Sequence, residues 1–489
     1  MTNPKHYAPR HSQKAPNLTS STSRSPLHSP GFVSRHRLRA AISLGFVAVL
    51  LFVLTFVCAT WLDFSNALRS SSADFVGEKT SDVYIDPDAG KPINIAIFGQ
   101  DTRNGGENSA IAHDTMSDEH ESDTIMIAQI SSNRRYINLV SVPRDSIVSV
   151  PQCITDNGKT VPAQQDVMIN SLFELSYNVG GDAASAASCA TQDLEYLTGI
   201  KITQFLVVDF AGLDSIINAI GGVDICVPEH IQDAYTSLNL PRGWDHLNGL
   251  QATEYSRVRH GIGVGDGSDI MREARQQYLV KMILRQIEEK GILANSGELY
   301  QLAETTLHWL TLSKGLTDPA TLVGLAYVLR NLNTSDIYAR TTPVETDPQN
   351  PDRVIWAQPY ASELWTRIKD DKPIVADTNP SKTLAQEKKD TGTSESVSPV
   401  DTGAGASASS PAGSASSPAG SAAKPDLAKG IYNPSTGLVT MPSGELIDPK
   451  NYGIVNPVTG VITDPDTGYQ MGIASEYLNQ VVCGVSEEK

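Results

Sequence analysis

From Ala40 to Leu62 the chain runs AAISLGFVAVLLFVLTFVCATWL, 23 residues without a charge. At about 1.5 Å of rise per residue, a helix of that length spans the roughly 30 Å hydrocarbon core of a bilayer. Residues 40–62 are therefore read as a transmembrane helix. A cleaved signal peptide is the alternative, because basic residues precede the apolar run, but the run is long and its leader extended. Arg35, Arg37 and Arg39 abut the run on its N-terminal side, and Trp61 sits where an interfacial aromatic would. The positive-inside rule then assigns residues 1–39 to the cytoplasm and everything after Leu62 to the outer face of the plasma membrane, as a single-pass protein.

That division organises the charge. Residues 1–39 hold 7 of the 38 Lys and Arg and no Asp or Glu, which leaves 31 basic against 55 acidic residues in the remainder, a net of −24. The first segment, rich in Ser, Pro, His and Arg, buries too little apolar area to fold and reads as a disordered basic tail. So acidic an outer body argues against nucleic acid as a partner, because phosphate backbones call for a basic surface. Cys58 lies in the apolar run, while Cys153, Cys189, Cys226 and Cys483 lie beyond it, where disulfides persist. Of the three pairings those four allow, Cys153 with Cys189 is favoured, since both belong to irregular or loop-to-helix segments. Free buried thiols are the alternative.

Residues 63–91 read as an extracellular stalk. Beyond them, β-branched runs bounded by polar turns predict strands at 93–99, 124–130, 136–142 and 204–210. Helical patterns alternate with them at 182–198, 212–220, 269–290, 298–312 and 319–331, and an amphipathic helix at 353–369 closes the segment. The alternation predicts an α/β domain over 92–370, with a central sheet covered by helices. Residues 371–430, dominated by Ser, Ala, Gly, Pro and Thr, form a linker. A small C-terminal module at 431–489 repeats Asn433-Pro434-Ser435-Thr436-Gly437 as Asn456-Pro457-Val458-Thr459-Gly460, which predicts short strands joined by tight turns. A spacer role is expected for it.

Four clusters carry chemistry. Asp101 follows the apolar strand 93–99, and Asp123 opens the next strand. Carboxylates at strand ends suit a hard cation such as Mg²⁺, which takes one or two of them together with substrate phosphate oxygens; the plain alternative is a turn or helix cap. Arg144 follows the strand 136–142. Arg257 and Arg259 alternate on a segment read as extended, so that both guanidinium forks face one side; a solvated basic edge is the alternative. In Gly265-Asp266-Gly267-Ser268-Asp269, a loop enters a helix with Ser268 or Asp269 as its cap, and Arg272 and Gln276 share a face. A cation in the first helical turn opposes the helix dipole, a local conflict that a functional site would explain.

The succession GQDTR, SDT, SVPRDS, MIN, LTGIKI, VDFAGL, AIGGVDICVP, LPRGWDHLNGLQATEYSRVRH and GDGSDIMREARQQ resembles the LytR-CpsA-Psr family in order and spacing over about residues 92–370. The resemblance implies a three-layer α/β/α fold with a central mixed sheet and an apolar pocket for a polyprenyl chain. It further implies an Mg²⁺-dependent transferase, with Mn²⁺ as the alternative ion. The expected reaction moves a polyprenyl-diphosphate-linked glycopolymer, such as a teichoic acid or capsular polysaccharide, onto peptidoglycan. A phosphodiester forms and polyprenyl phosphate is released.

Carried over residue by residue, Asp101 and Asp123 would hold the metal. Arg144, Arg257, Arg259 and Arg272 would clamp the diphosphate, with Gln276 assisting and Arg103 and Arg275 as secondary substrate contacts. Asp269 would either position the arginines or assist proton transfer. Two departures from the family pattern stand out. Met168 occupies a place usually taken by a basic residue before Ile169-Asn170, and the polar stretch Asn104–Glu121, with His113, Asp114, Asp118 and His120, is long. That stretch reads as a solvated loop, with a lid or second metal site as the alternative. Hydrolysis of the same diphosphate, and a non-catalytic wall-binding or regulatory role, are the rival functions.

Overall fold

The computed structural model describes residues 72–73, 90–374 and 425–484, apart from 103–107, 109–119, 234–235, 237, 260, 265–268, 318, 331, 334–335, 450, 466–467 and 469. The tail and transmembrane helix expected over 1–62 lie outside the described residues, as do nearly all of the stalk and linker. Among the described residues no helix is long and apolar enough to cross a membrane. The described residues all belong to one compact unit.

Its centre is a seven-stranded mixed sheet. In chain order the strands are β1 (Ser72–Ala73), β2 (Ile93–Gln100), β3 (Ser122–Ile130), β4 (Ile137–Ser141), β5 (Gln204–Val208), β6 (Leu310–Ser313) and β7 (Ile337–Thr341). Across the sheet they run β1-β6-β5-β2-β3-β4-β7. β2 pairs antiparallel with β3, and β3 with β4, whereas β5 lies parallel to β2 and β7 parallel to β4.

Side chains alternate between the two faces, as a period of two requires. Ala96, Phe98, Ile125, Ile127, Val140, Phe205 and Val207 point into one core. The helices α1 (Ile169–Gly180), α2 (Ala183–Thr198) and α8 (Tyr360–Lys369) cover that core. Ile93, Ile130 and Leu312 point into the other, beneath Leu307, Leu316 and Leu325. Ala303 of α6 (Ser296–Thr306) and Leu322 and Leu325 of α7 (Pro319–Leu329) pack there. A further core packs α3 (Phe210–Ala219), α4 (Gly249–Arg257) and α5 (Asp269–Glu289) around Ile217, Tyr255, Tyr278 and Met282.

Several expectations need correction. Residues 310–313 and 337–341 are strands at or near the sheet margins, too short for their alternation to register. The helix expected from 353 begins only at Tyr360, because Asn350–Trp356 is a strand paired antiparallel with Val344–Asp347. Arg257 is not on an extended segment but ends α4. That helix is set by a capping box in which Asn248 Oδ1 accepts from the Gln251 amide (2.9 Å) while Gln251 Oε1 accepts from the Asn248 amide (3.2 Å).

The C-terminal module is an ordered sheet. Its six strands form a sequential meander from Ile431–Asn433 to Gln470–Ile473. The turn seen twice in the sequence occurs four times in all. The carbonyls of Asn433, Asp448, Asn456 and Asp464, each followed by Pro, accept from the amides of Gly437, Tyr452, Gly460 and Gly468 at 2.8–2.9 Å. Those four donors all have φ between 61° and 73°, the left-handed region that explains three glycines out of four.

The module is fastened to the α/β domain. A disulfide joins Cys226 to Cys483, and Leu478 enters the core around α5. Tyr278 donates its hydroxyl to Asn479 Oδ1 (2.5 Å), and Lys281 pairs with Glu476 (2.9 Å). The expected Cys153–Cys189 disulfide is present as well.

Candidate active site

The sheet places its functional carboxylates by register. Gly99 pairs with Thr124 and Gln100 with Ser122, so Asp123 is the extra residue of a β-bulge. Bulges re-aim a side chain at a sheet margin, and here the re-aimed group is a carboxylate. Gly99 is required by close approach: a Cβ at that position would stand 2.8 Å from the Thr124 Cβ. Asp101 continues the neighbouring strand, its amide donating to the Glu121 carbonyl (3.1 Å). Because β4 runs antiparallel to β3, the Pro143-Arg144-Asp145 turn leaves β4 at this same end.

Three arginines converge there on two carboxylates. Arg144 reaches Asp123 (2.5 Å) and Asp269 (2.8 Å). Arg259 lies 3.6 Å from Asp123 and 3.3 Å from Asp269, and Arg272 lies 3.3 Å from each. Asp269 is the first residue of α5 and Arg272 sits one turn along, so the carboxylate that Arg272 needs against the helix dipole is its own neighbour.

Burial on its own would raise the Asp123 carboxyl, but the fields of Arg272 and Arg144 hold it below the usual range. Asp269 is likewise held down: burial opposes, and a hydrogen bond from Asp145 together with Arg272, Arg144 and Arg259 prevails. Arg259 holds its proton less tightly than usual, first through burial and then through repulsion from Arg272 and Arg144. Three guanidiniums therefore crowd two carboxylates, and the Arg272 side chain is only 3% exposed. Such a cluster favours an incoming anion, and planar forks suit phosphate oxygens.

The other expected residues make different contacts. Arg257 stacks its guanidinium 4.2 Å above the centre of the Phe210 ring. Arg275 is buried and donates to the Val264 carbonyl (2.9 Å) and the Val258 carbonyl, so it ties down the loop that carries Arg259. Gln276 donates to the Ser256 carbonyl (3.1 Å). Arg103, His113, Asp114 and Asp118 lie outside the described residues. His120 stacks on Tyr177 at 3.6 Å, and its Nδ1 meets Gln100 Nε2 at 3.1 Å, so it is engaged in the fold. Asn170, behind Met168, donates its amide N–H to the Arg144 carbonyl (3.3 Å) and its side chain to Glu121 (2.8 Å).

Three residues were missed. Asp145 lies 3.8 Å from Arg144 and 3.5 Å from Arg353, and burial followed by Asp269 pushes its carboxyl up to about 6. Arg353 comes from the strand Asn350–Trp356, which the sequence pattern assigned to a helix. Glu273, on α5 beneath the arginines, is 4% exposed, and burial pushes it up to about 8.

Asp101 and Asp123 offer hard oxygen donors from neighbouring strands. Among the described residues the one group of three potential ligands able to converge is Cys153, Cys189 and Asp193, whose thiols are tied in a disulfide. A hard cation such as Mg²⁺ takes one or two carboxylates together with phosphate and water oxygens, the donor type these two residues supply.

Residues 59–370 match the LytR_cpsA_psr family. The chain belongs to the LytR-CpsA-Psr family. It is 24% identical over 265 residues to the cell wall biosynthesis protein LcpA of Corynebacterium glutamicum, covering 51% of this chain and 50% of that one. It is 25% identical over 260 residues to the polyisoprenyl-teichoic acid–peptidoglycan teichoic acid transferase TagU of Enterococcus faecalis, covering 53% and 74%. The chain thus spans about half the length of the first of these relatives. A LytR-Csp2A-Psr enzyme from Actinomyces oris superposes with a TM-score of 0.43 at 22% identity, covering 61% of this chain and 94% of that one.

Proposed function

We propose that this protein transfers a polyprenyl-diphosphate-linked glycopolymer onto peptidoglycan at the outer face of the plasma membrane, to which residues 40–62 anchor it. The observation that carries the reading is the convergence of Arg144, Arg259 and Arg272 on Asp123 and Asp269. The names of the TagU and LcpA relatives support it.

Phosphoryl transfer depends on in-line positioning and charge neutralisation more than on covalent groups. Arg144, Arg259 and Arg272 bind the diphosphate, turning their forks partly from the carboxylates toward phosphate oxygens. The near-complete burial of Arg272 removes competing water and strengthens that contact. Asp269 keeps the three guanidiniums within one small volume despite their repulsion. Arg275 holds the backbone from Val258 to Val264, and so the position of Arg259. Asp101 and Asp123 would hold Mg²⁺, with Mn²⁺ as a substitute, and the ion would add positive charge at the phosphate oxygens.

The test incubates the full-length protein in detergent with a polyprenyl-diphosphate glycan, a peptidoglycan oligosaccharide and Mg²⁺, beside Arg259→Ala. Polyprenyl phosphate release together with a new phosphodiester on the acceptor, both lost in the variant, is the expected result. Release without the phosphodiester would make the protein a hydrolase, and no release from folded, donor-loaded protein would make it a binding protein.

A further inference from the structure

We propose that Asp145 is the group that accepts the proton of the attacking hydroxyl. The inference rests on the transferase reading above and assigns it a base. Three carboxylates meet the arginine cluster, and their contacts differ. Asp123 and Asp269 each lie within 3.6 Å of three guanidiniums. Protonating either would leave three crowded cations facing one carboxylate in place of two, so both are poor proton acceptors.

Among the described residues Asp145 has two ion-pair contacts, both long: Arg144 Nε at 3.8 Å from Oδ2 and Arg353 Nη1 at 3.5 Å from Oδ1. A proton on Asp145 therefore breaks no short pair, and the hydrogen bond between the Asp145 and Asp269 side chains accommodates it. The carboxyl is pushed up to about 6, by burial first and by Asp269 second, which leaves it ionised yet basic at neutral pH.

Asp145 is also well held. Its carbonyl accepts the Val354 amide (3.3 Å), Ser146 bridges to Val354, and Ser146 Oγ accepts from the Trp356 indole (3.3 Å). The charged and titratable groups facing it are Arg144 from its own turn, Arg353 from the adjoining strand, and Asp269 and the more distant Glu273 from α5. Glu273 is nearly fully buried and offers no path to a substrate.

In the step, the acceptor hydroxyl oxygen forms a bond to the glycan-side phosphorus while its proton passes to a carboxylate oxygen of Asp145. The bond from that phosphorus to the bridging oxygen breaks, and the bridging oxygen leaves with the electron pair as part of anionic polyprenyl phosphate. That anion needs no proton, and Asp145 returns its own to water.

The experiment compares full-length wild type with Asp145→Asn, Asp145→Glu and Asp145→Ala in detergent. Phosphodiester formation is measured across pH 4.5–9 (roughly the span that brackets carboxyl titration), and donor binding by calorimetry. Wild type should lose kcat as pH falls through about 6. Asp145→Asn should bind donor within about threefold of wild type while kcat falls by about 10²–10⁴ and the acid limb disappears. Asp145→Glu should restore a measurable limb, and added formate should raise the rate of Asp145→Ala.

A wild-type kcat in Asp145→Asn, an acid limb that persists there, or donor binding lost in step with rate in all three variants would overturn the assignment. If wild type forms no phosphodiester at any pH, the transferase reading itself fails and the base assignment with it.

Discussion

Glu273 offers a quantitative test of how the arginine helix is supported. It is 4% exposed, one residue after Arg272, and its Oε2 has no hydrogen-bond partner among the described residues. Burial raises its carboxyl from 4.5 to about 8, partly opposed by Arg272. Between those values the unfolded chain has released a proton that the folded protein retains, so stability falls as pH rises from about 4.5 and levels off above about 8. At about 1.36 kcal/mol per pH unit, the loss is roughly 4–5 kcal/mol. Glu273→Gln preserves shape and cannot ionise. Urea unfolding followed by tryptophan fluorescence at pH 5 and pH 9 should show the variant gaining roughly 4 kcal/mol on wild type between the two. The comparison cancels every other group that titrates. Parallel pH slopes for the two proteins would mean that Glu273 is ionised in the folded state, and that the charge balance drawn above for the arginine cluster is wrong.

Gly99→Ala should cost about 1–3 kcal/mol and lower transfer activity by displacing the Asp123 bulge, with Thr124→Gly restoring both; activity unchanged in the single variant would count against the bulge as the aiming device. The Cys226→Ser, Cys483→Ser double variant opens a loop closed over a separation of 257 residues. It should lose roughly 5 kcal/mol on chain-entropy grounds, read as a lower urea midpoint. Lys281→Met should cost about 1.5–3 kcal/mol, and a cycle with Glu476→Gln should return a coupling energy that vanishes if the module does not dock on α5.

What the sequence revealed follows from the range of the interactions involved. The strands β2 to β5 were legible because each overlaps a seven-residue β-branched or aromatic run bounded by polar turns. Leu310–Ser313 and Ile337–Thr341 were not, since four or five residues against a neighbouring strand carry no periodicity of their own. Arg257 and Arg259 looked equivalent as neighbours in an extended run. The Asn248-x-x-Gln251 capping box was the overlooked signal, and it ends the helix between them, sending one guanidinium to Phe210 and the other to the carboxylates. Arg275 and Gln276 read as ligands by proximity to Arg272, yet the helix turns them onto backbone carbonyls. Asp145 and Arg353 are 208 residues apart, and only the tertiary fold makes them a pair. The Cys226–Cys483 link was unreadable for the same reason, as no local feature marks partners so far apart.

The same helix explains why the C-terminal module belongs to the functional argument. α5 begins with Asp269 and Arg272 at the arginine cluster, and two to three turns later presents Tyr278 and Lys281 to Asn479, Ser475 and Glu476 of the module. Gln277, between them, donates to Ser141 and Thr341, which lie at the ends of β4 and β7. The helix is thus held on one side by the sheet and on the other by a meander locked through Cys226. Helix ends fray and loops give way most easily where few buried contacts restrain them. A cluster of crowded like charges at a helix N-terminus tends to spread, and the sites that resist spreading lie farther along the same rigid rod. Removing the module should therefore weaken diphosphate binding more than it weakens the sheet, a separation visible by comparing calorimetric affinity with hydrogen exchange of the β2 and β3 amides.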